Sequence, residues 1–92
     1  MSTLKAHTCV RFAGSDNSFH NAVICRLGRT KAHLVWIGNH GVKASAEPTA
    51  SVAKYSTAID YPVKKAARRI LKAGRDLGIT KAAKSLLREV LK

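Results

Sequence analysis

Nine cationic side chains crowd into one stretch of the chain: Lys64, Lys65, Arg68, Arg69, Lys72, Arg75, Lys81, Lys84 and Arg88. Ammonium and guanidinium groups make no bonds of their own in a reaction; they attract and hold anions. Lysine does so as a compact point charge, and arginine as a planar fork that grips a phosphate or a guanine edge at two points. A row of such groups facing one way neutralises successive phosphates and releases their condensed counterions, so the binding it supports weakens steeply with salt. Residues 61–92 hold ten Lys and Arg against Asp76 and Glu89, a net of +8, and residues 1–60 supply the other +4 of the chain's +12. On 92 residues that excess is larger than solubility requires, and it points to an anionic partner.

The other reactive residue types are spaced for little else. Cys9, Cys25, His7, His20, His33 and His40 fall in or beside expected strands. No Cys-x-x-Cys or His-x-x-x-His pair occurs, and only His7 and Cys9 would share a strand face, so the expectation is no metal site and no cofactor. Asp16, Glu47, Asp60, Asp76 and Glu89 are scattered singly rather than paired for acid–base work. A nucleophile–base couple such as Cys25 with His20 or His33 is compatible with the spacing, since such groups assemble in space, but nothing in the spacing supports one. Gly38-Asn39-His40-Gly41 reads as a turn, without the following helix that a phosphate loop needs. The chain is expected not to be an enzyme.

The cations must be positioned by helices. Val63, Ala66, Ala67, Ile70, Leu71, Gly74 and Leu77 recur at the spacing of one helical face, with Lys64, Lys65, Arg68, Arg69, Lys72 and Arg75 opposite. Asp60 is the expected N-cap, Pro62 suits the first turn, and Gly78 stands where a left-handed C-terminal cap is usual. Thr80 is placed to cap a second helix, with Ala83, Leu86, Leu87, Val90 and Leu91 inward and Lys81, Lys84, Ser85, Arg88 and Lys92 outward.

The N-terminal half has a different period. Thr3 to Phe12 alternates, Leu4, Ala6, Thr8, Val10 and Phe12 against Thr3, Lys5, His7, Cys9 and Arg11, which predicts a half-buried strand. Gly14-Ser15-Asp16-Asn17-Ser18 is turn chemistry. From Phe19 to Leu27, Phe19, Val23, Cys25 and Leu27 share one face while Ala22 and Ile24 make the other apolar as well, as in a strand covered on both sides. Gly28-Arg29-Thr30 makes the next turn, and Ala32 to Ile37 a third strand with Trp36 in the core. Val42 to Ala46 adds at most a short fourth strand. Residues 47–60 form either a connection or a short helix, with Thr49 as a possible cap through Tyr55.

The run from Ile70 to Leu87 resembles a helix-turn-helix. Gly74 within the first helix, Gly78 in the turn, Ile79 after it and Thr80 before the second helix match the small, glycine, apolar and polar positions of that family. The family usually buries an apolar residue where Lys84 stands, and its supporting third helix has no clear counterpart. The resemblance implies that Lys81, Ala82, Lys84, Ser85 and Arg88 would face a DNA major groove.

These patterns predict one α+β domain over residues 1–92. An N-terminal antiparallel meander of three to four strands occupies 1–46, a connection 47–60, and a basic helical hairpin 61–92. The function expected is nucleic-acid binding, with duplex DNA favoured, by an accessory or regulatory protein. The alternative is an inhibitor or adaptor, of viral or mobile-element type, that docks its cationic helices on the acidic surface of a nucleic-acid-processing enzyme. The five aromatics, Phe12, Phe19, Trp36, Tyr55 and Tyr61, make no base-stacking platform in the sequence. A membrane partner is not expected, because the apolar helix faces hold Ala and Gly without aromatic anchors. Reduced cysteines and the absence of an apolar leader suggest a cytoplasmic protein. Leu86, Leu87, Val90 and Leu91, or an open sheet edge, could support a homodimer.

Overall fold

The computed structural model describes residues 5–13, 19–38 and 41–92. Their order is β1 (Thr8–Ala13), β2 (Phe19–Leu27), β3 (Lys31–Gly38), β4 (Gly41–Pro48), α1 (Thr49–Tyr55), β5 (Ser56–Ala58), α2 (Val63–Leu77) and α3 (Lys81–Leu91). The strands form one antiparallel sheet in the order β4-β3-β2-β1-β5. An α+β fold with the sheet before the long helices is therefore what the chain adopts. The expected turns at 14–18 and 39–40 and the strand start before residue 5 lie outside the described residues.

Both faces of the sheet are buried, each under a different helix layer. On one side Cys9, Val23, Cys25, Val35 and Val42 meet Ala67 and Ile70 of α2 and Ala83, Leu86, Leu87 and Val90 of α3. On the other, Val10, Ala22, Ile24, Ala32 and Leu34 close around Val52 of α1, with Phe12, Leu27 and Trp36 packed at the margin. Alternation along a strand sends neighbours to opposite faces, so the apolar doublets Cys9-Val10, Val23-Ile24 and Leu34-Val35 each feed both cores. Leu87 and Ile24 are wholly buried, and burial of a side chain of that size stabilises by about 1.5–3 kcal/mol.

Several expectations need correction. The register of β2 on β3 shifts between Ile24 and Arg26. This bulge reverses the parity, so Leu27 packs on the α1 side rather than with Val23 and Cys25. The same shift turns Arg26 toward the long helices. The fourth strand runs the full length of β3, from Gly41 opposite Gly38 to Pro48 opposite Lys31, because a backbone ladder forms without large side chains. Within 47–60, α1 is followed by β5, which the sequence did not suggest and which pairs with β1 through Val10, Arg11 and Phe12.

The caps differ as well. Pro62, not Asp60, occupies the N-cap of α2 and makes no side-chain cap bond. Pro48 precedes α1, whose first residue Thr49 instead ties the helix to the β2–β3 turn: its hydroxyl donates to the Gly28 carbonyl at 2.8 Å and its N–H to the Thr30 carbonyl at 3.0 Å. Strand β1 begins at Thr8, after His7 at φ 60°. Leu77 is 56% exposed and Trp36 only half-buried, so neither belongs to the core proper.

Candidate nucleic-acid interface

The two cationic helices are set by a corner that is itself fastened to the sheet. Gly78 ends α2 with its N–H donating to the Gly74 carbonyl at 2.8 Å, but its φ of 100° and ψ of 148° are an extended, glycine-only conformation rather than a left-handed helical cap. The extension has a cause: the Gly78 carbonyl accepts from the Val42 N–H at 2.8 Å, and Val42 and Ile79 form a parallel bridge. Gly41 permits this approach, since a Cβ there would stand 2.7 Å from the Gly78 oxygen and 2.8 Å from that of Leu77. Gly74 is equally constrained, because an added Cβ would meet the Ile79 Cβ at 2.9 Å. Thr80 then caps α3, its hydroxyl oxygen accepting from the Ala83 N–H at 3.2 Å, as the sequence predicts.

With α2 and α3 lying on one face of the sheet, their outer surfaces carry the charge. Lys64, Lys65, Arg68, Arg69, Lys72, Arg75, Lys81, Lys84 and Arg88 are all exposed, and among the described residues none of them enters an ion pair. Lys64, Arg68, Lys72 and Arg75 follow one another at four, four and three residues, an acid-free stripe about 16 Å long at 1.5 Å per residue. Lys65 and Arg69 begin a second row that Asp76 closes. On α3, Lys81, Lys84 and Arg88 repeat the pattern.

Of the two acids among these helices, Glu89 is taken out of the pattern. The Arg26 guanidinium donates to both of its carboxylate oxygens, at 2.9 and 2.7 Å. The bidentate grip holds the Glu89 carboxyl below its ordinary range and the Arg26 guanidinium above its own. The bond spans 63 residues, so no local pattern could have disclosed it. Arg26, which no sequence pattern linked to these helices, reaches this surface from β2 through Glu89.

Lys81, Ala82, Lys84, Ser85 and Arg88, which the helix-turn-helix resemblance would turn to a groove, are exposed on α3, while the corner before them is extended at Gly78 and bridged to β4. The hairpin rests on a sheet, and α1 packs against the opposite sheet face.

Among the described residues no three His, Cys, Asp or Glu side chains come close enough to hold a metal ion. Cys9 and Cys25 are free and buried. Burial pushes the Cys25 thiol up to about 12, with Glu89 adding to the shift and Arg26 opposing it, and burial raises Cys9 as well. Thiols held protonated in this way are poor nucleophiles. No helix among the described residues is long and apolar enough to cross a membrane.

Compared with known proteins, the chain matches no family model, no curated protein sequence and no solved structure.

Proposed function

We propose that this chain is a small non-enzymatic, cytoplasmic nucleic-acid-binding protein of accessory or regulatory type, which grips duplex DNA through the outward faces of α2 and α3. The observation that carries the reading is that nine exposed cations share two adjacent helices and, among the described residues, none of them enters an ion pair, while Glu89 is satisfied from the sheet by Arg26. A surface whose charges are not neutralised internally retains its full attraction for phosphates. Exposed side chains also meet a polyanion without the cost of extracting a cation from a buried pair. The acid-free stripe on α2 follows a sugar–phosphate backbone, and α3 adds a second set of contacts beside it.

The test is a fluorescence titration against duplex DNA, single-stranded DNA and RNA at several salt concentrations. The expected result is tight binding at low salt with a log–log salt slope of about −4 to −8, the loss of about 0.9 per phosphate contacted. Weak binding to all three polymers at low salt would overturn the reading. Capture of an acidic protein instead, from nuclease-treated extract, would favour the inhibitor or adaptor alternative.

A further inference from the structure

Beside the N-terminal half of α2 the helix and the sheet do not close on each other, and an open groove of about 480 Å³ lies between them. That volume is within the roughly 300–1,000 Å³ range of ligand sites. Its floor is apolar, made by Cys9, Val23 and Ile37 of the sheet with Ile59 and Ile70. Ile37 is 43% exposed, and its presence in this groove gives that exposure a use. Three polar groups stand around the apolar floor. Asn21 is exposed, and its amide makes no hydrogen bond among the described residues; Tyr61 is half-buried; and Arg69 belongs to the cationic face. The Lys65 ammonium lies 6.0 Å from the centre of the Tyr61 ring, which brings a second cation to the mouth.

We infer that this groove receives one unstacked base of a bound nucleic acid, with Asn21 facing the base edge and Arg69 and Lys65 holding the phosphates on either side. The inference rests on the nucleic-acid reading above and deepens it. A ligand complementary to the site needs a flat apolar body, a polar edge that pairs with an amide, and negative charge at its margin. A nucleotide within a strand has all three. Asn21 carries both a donor and an acceptor, as edge recognition of an extruded base requires. The site would make the protein prefer duplexes that present an unpaired base to duplexes that are fully paired.

The experiment compares two 20-base-pair duplexes that differ only by one extrahelical adenine, titrated at the same salt. The expected result is binding about tenfold tighter to the bulged duplex, the scale of one stacked base. Ile37→Trp, which fills the groove and removes no cation, should erase that preference while leaving the paired duplex bound as before. Asn21→Ala, at an exposed position, should reduce it without altering thermal unfolding. Equal affinity of the wild-type protein for both duplexes would overturn the groove and leave the basic face standing. Failure to bind either would overturn the nucleic-acid reading itself. A preference that survives both Ile37→Trp and Asn21→Ala would place the base elsewhere and also refute the inference.

Discussion

Arg26 of β2 holds both carboxylate oxygens of Glu89 on α3, at 2.9 and 2.7 Å. This contact fastens the last helix to the central strand, and it removes an acid from a face of cations. Its consequence can be read in binding. Glu89→Gln leaves the Arg26 charge unspent, so affinity for duplex DNA should rise severalfold at about 0.05 M salt and the gain should fade by about 0.3 M. Arg26→Gln should act in the opposite sense. In that variant the Glu89 carboxyl should titrate higher, since its largest downward influence, the hydrogen bond from Arg26, is gone. In the wild-type protein the tie persists at neutral pH and is lost as pH falls through the depressed carboxyl value. A carboxyl titration followed by NMR measures both.

The cationic face of α2 should carry most of the phosphate contact. Neutralising Arg68, Arg69 and Lys72 together to Gln should reduce the log–log salt slope by about 3 and lower affinity about 100-fold or more. Reversing their charges should abolish binding. All three side chains are exposed, so circular dichroism and the unfolding midpoint should stay as in wild type. An unchanged slope would move the contact to α3.

The hairpin corner depends on Gly41 more than on any charged residue. Gly41→Ala would need a side chain at φ 120° and would drive its Cβ against the Gly78 and Leu77 carbonyl oxygens. The two costs together should destabilise the fold by about 3 kcal/mol. Urea denaturation would register the loss. An alanine tolerated there within about 0.5 kcal/mol would mean the corner is not docked on β4.

Buried thiols should make the protein sensitive to alkali. The Cys25 thiol rises from an ordinary 9.0 to about 12, and Cys9 is raised too. The folded chain therefore keeps protons that the unfolded chain releases above about 9. Stability from this source is fully present below pH 9 and declines as pH climbs toward 12. Denaturant midpoints measured from pH 8 to 11 should fall with pH in wild type and fall less in Cys25→Ala. At pH 8, Ellman's reagent should label these thiols only when the protein unfolds.

Much of the helical half was legible because its signals are local. The apolar spacing of Ala67, Ile70, Ala83, Leu86, Leu87 and Val90, and the Thr80 cap, follow from a 3.6-residue period and from the chemistry of one hydroxyl. The alternation in β2 also announced a strand with two buried faces. Legibility failed where the cause lies far along the chain. The small side chains of Ala44, Ser45 and Ala46 say little about a strand that β3 templates along its whole length. Ser56–Ala58 becomes β5 because β1 offers it an edge. Leu27 changes faces because one bulge shifts a register.

The amino-acid sequence by itself determined that this chain makes two amphipathic helices with cations outward, joined at a glycine corner, after an antiparallel meander. Those properties belong to residues within a few positions of each other, where helical period, strand alternation and turn chemistry act. Tertiary structure alone decided that the helices lie side by side on one sheet face, that Glu89 is answered by Arg26, and that α2 leaves a groove over Cys9, Val23 and Ile37. Each of these joins residues tens of positions apart. Their meeting is set by how a twisted sheet and two helices fill common space, a property of packing that no local pattern encodes.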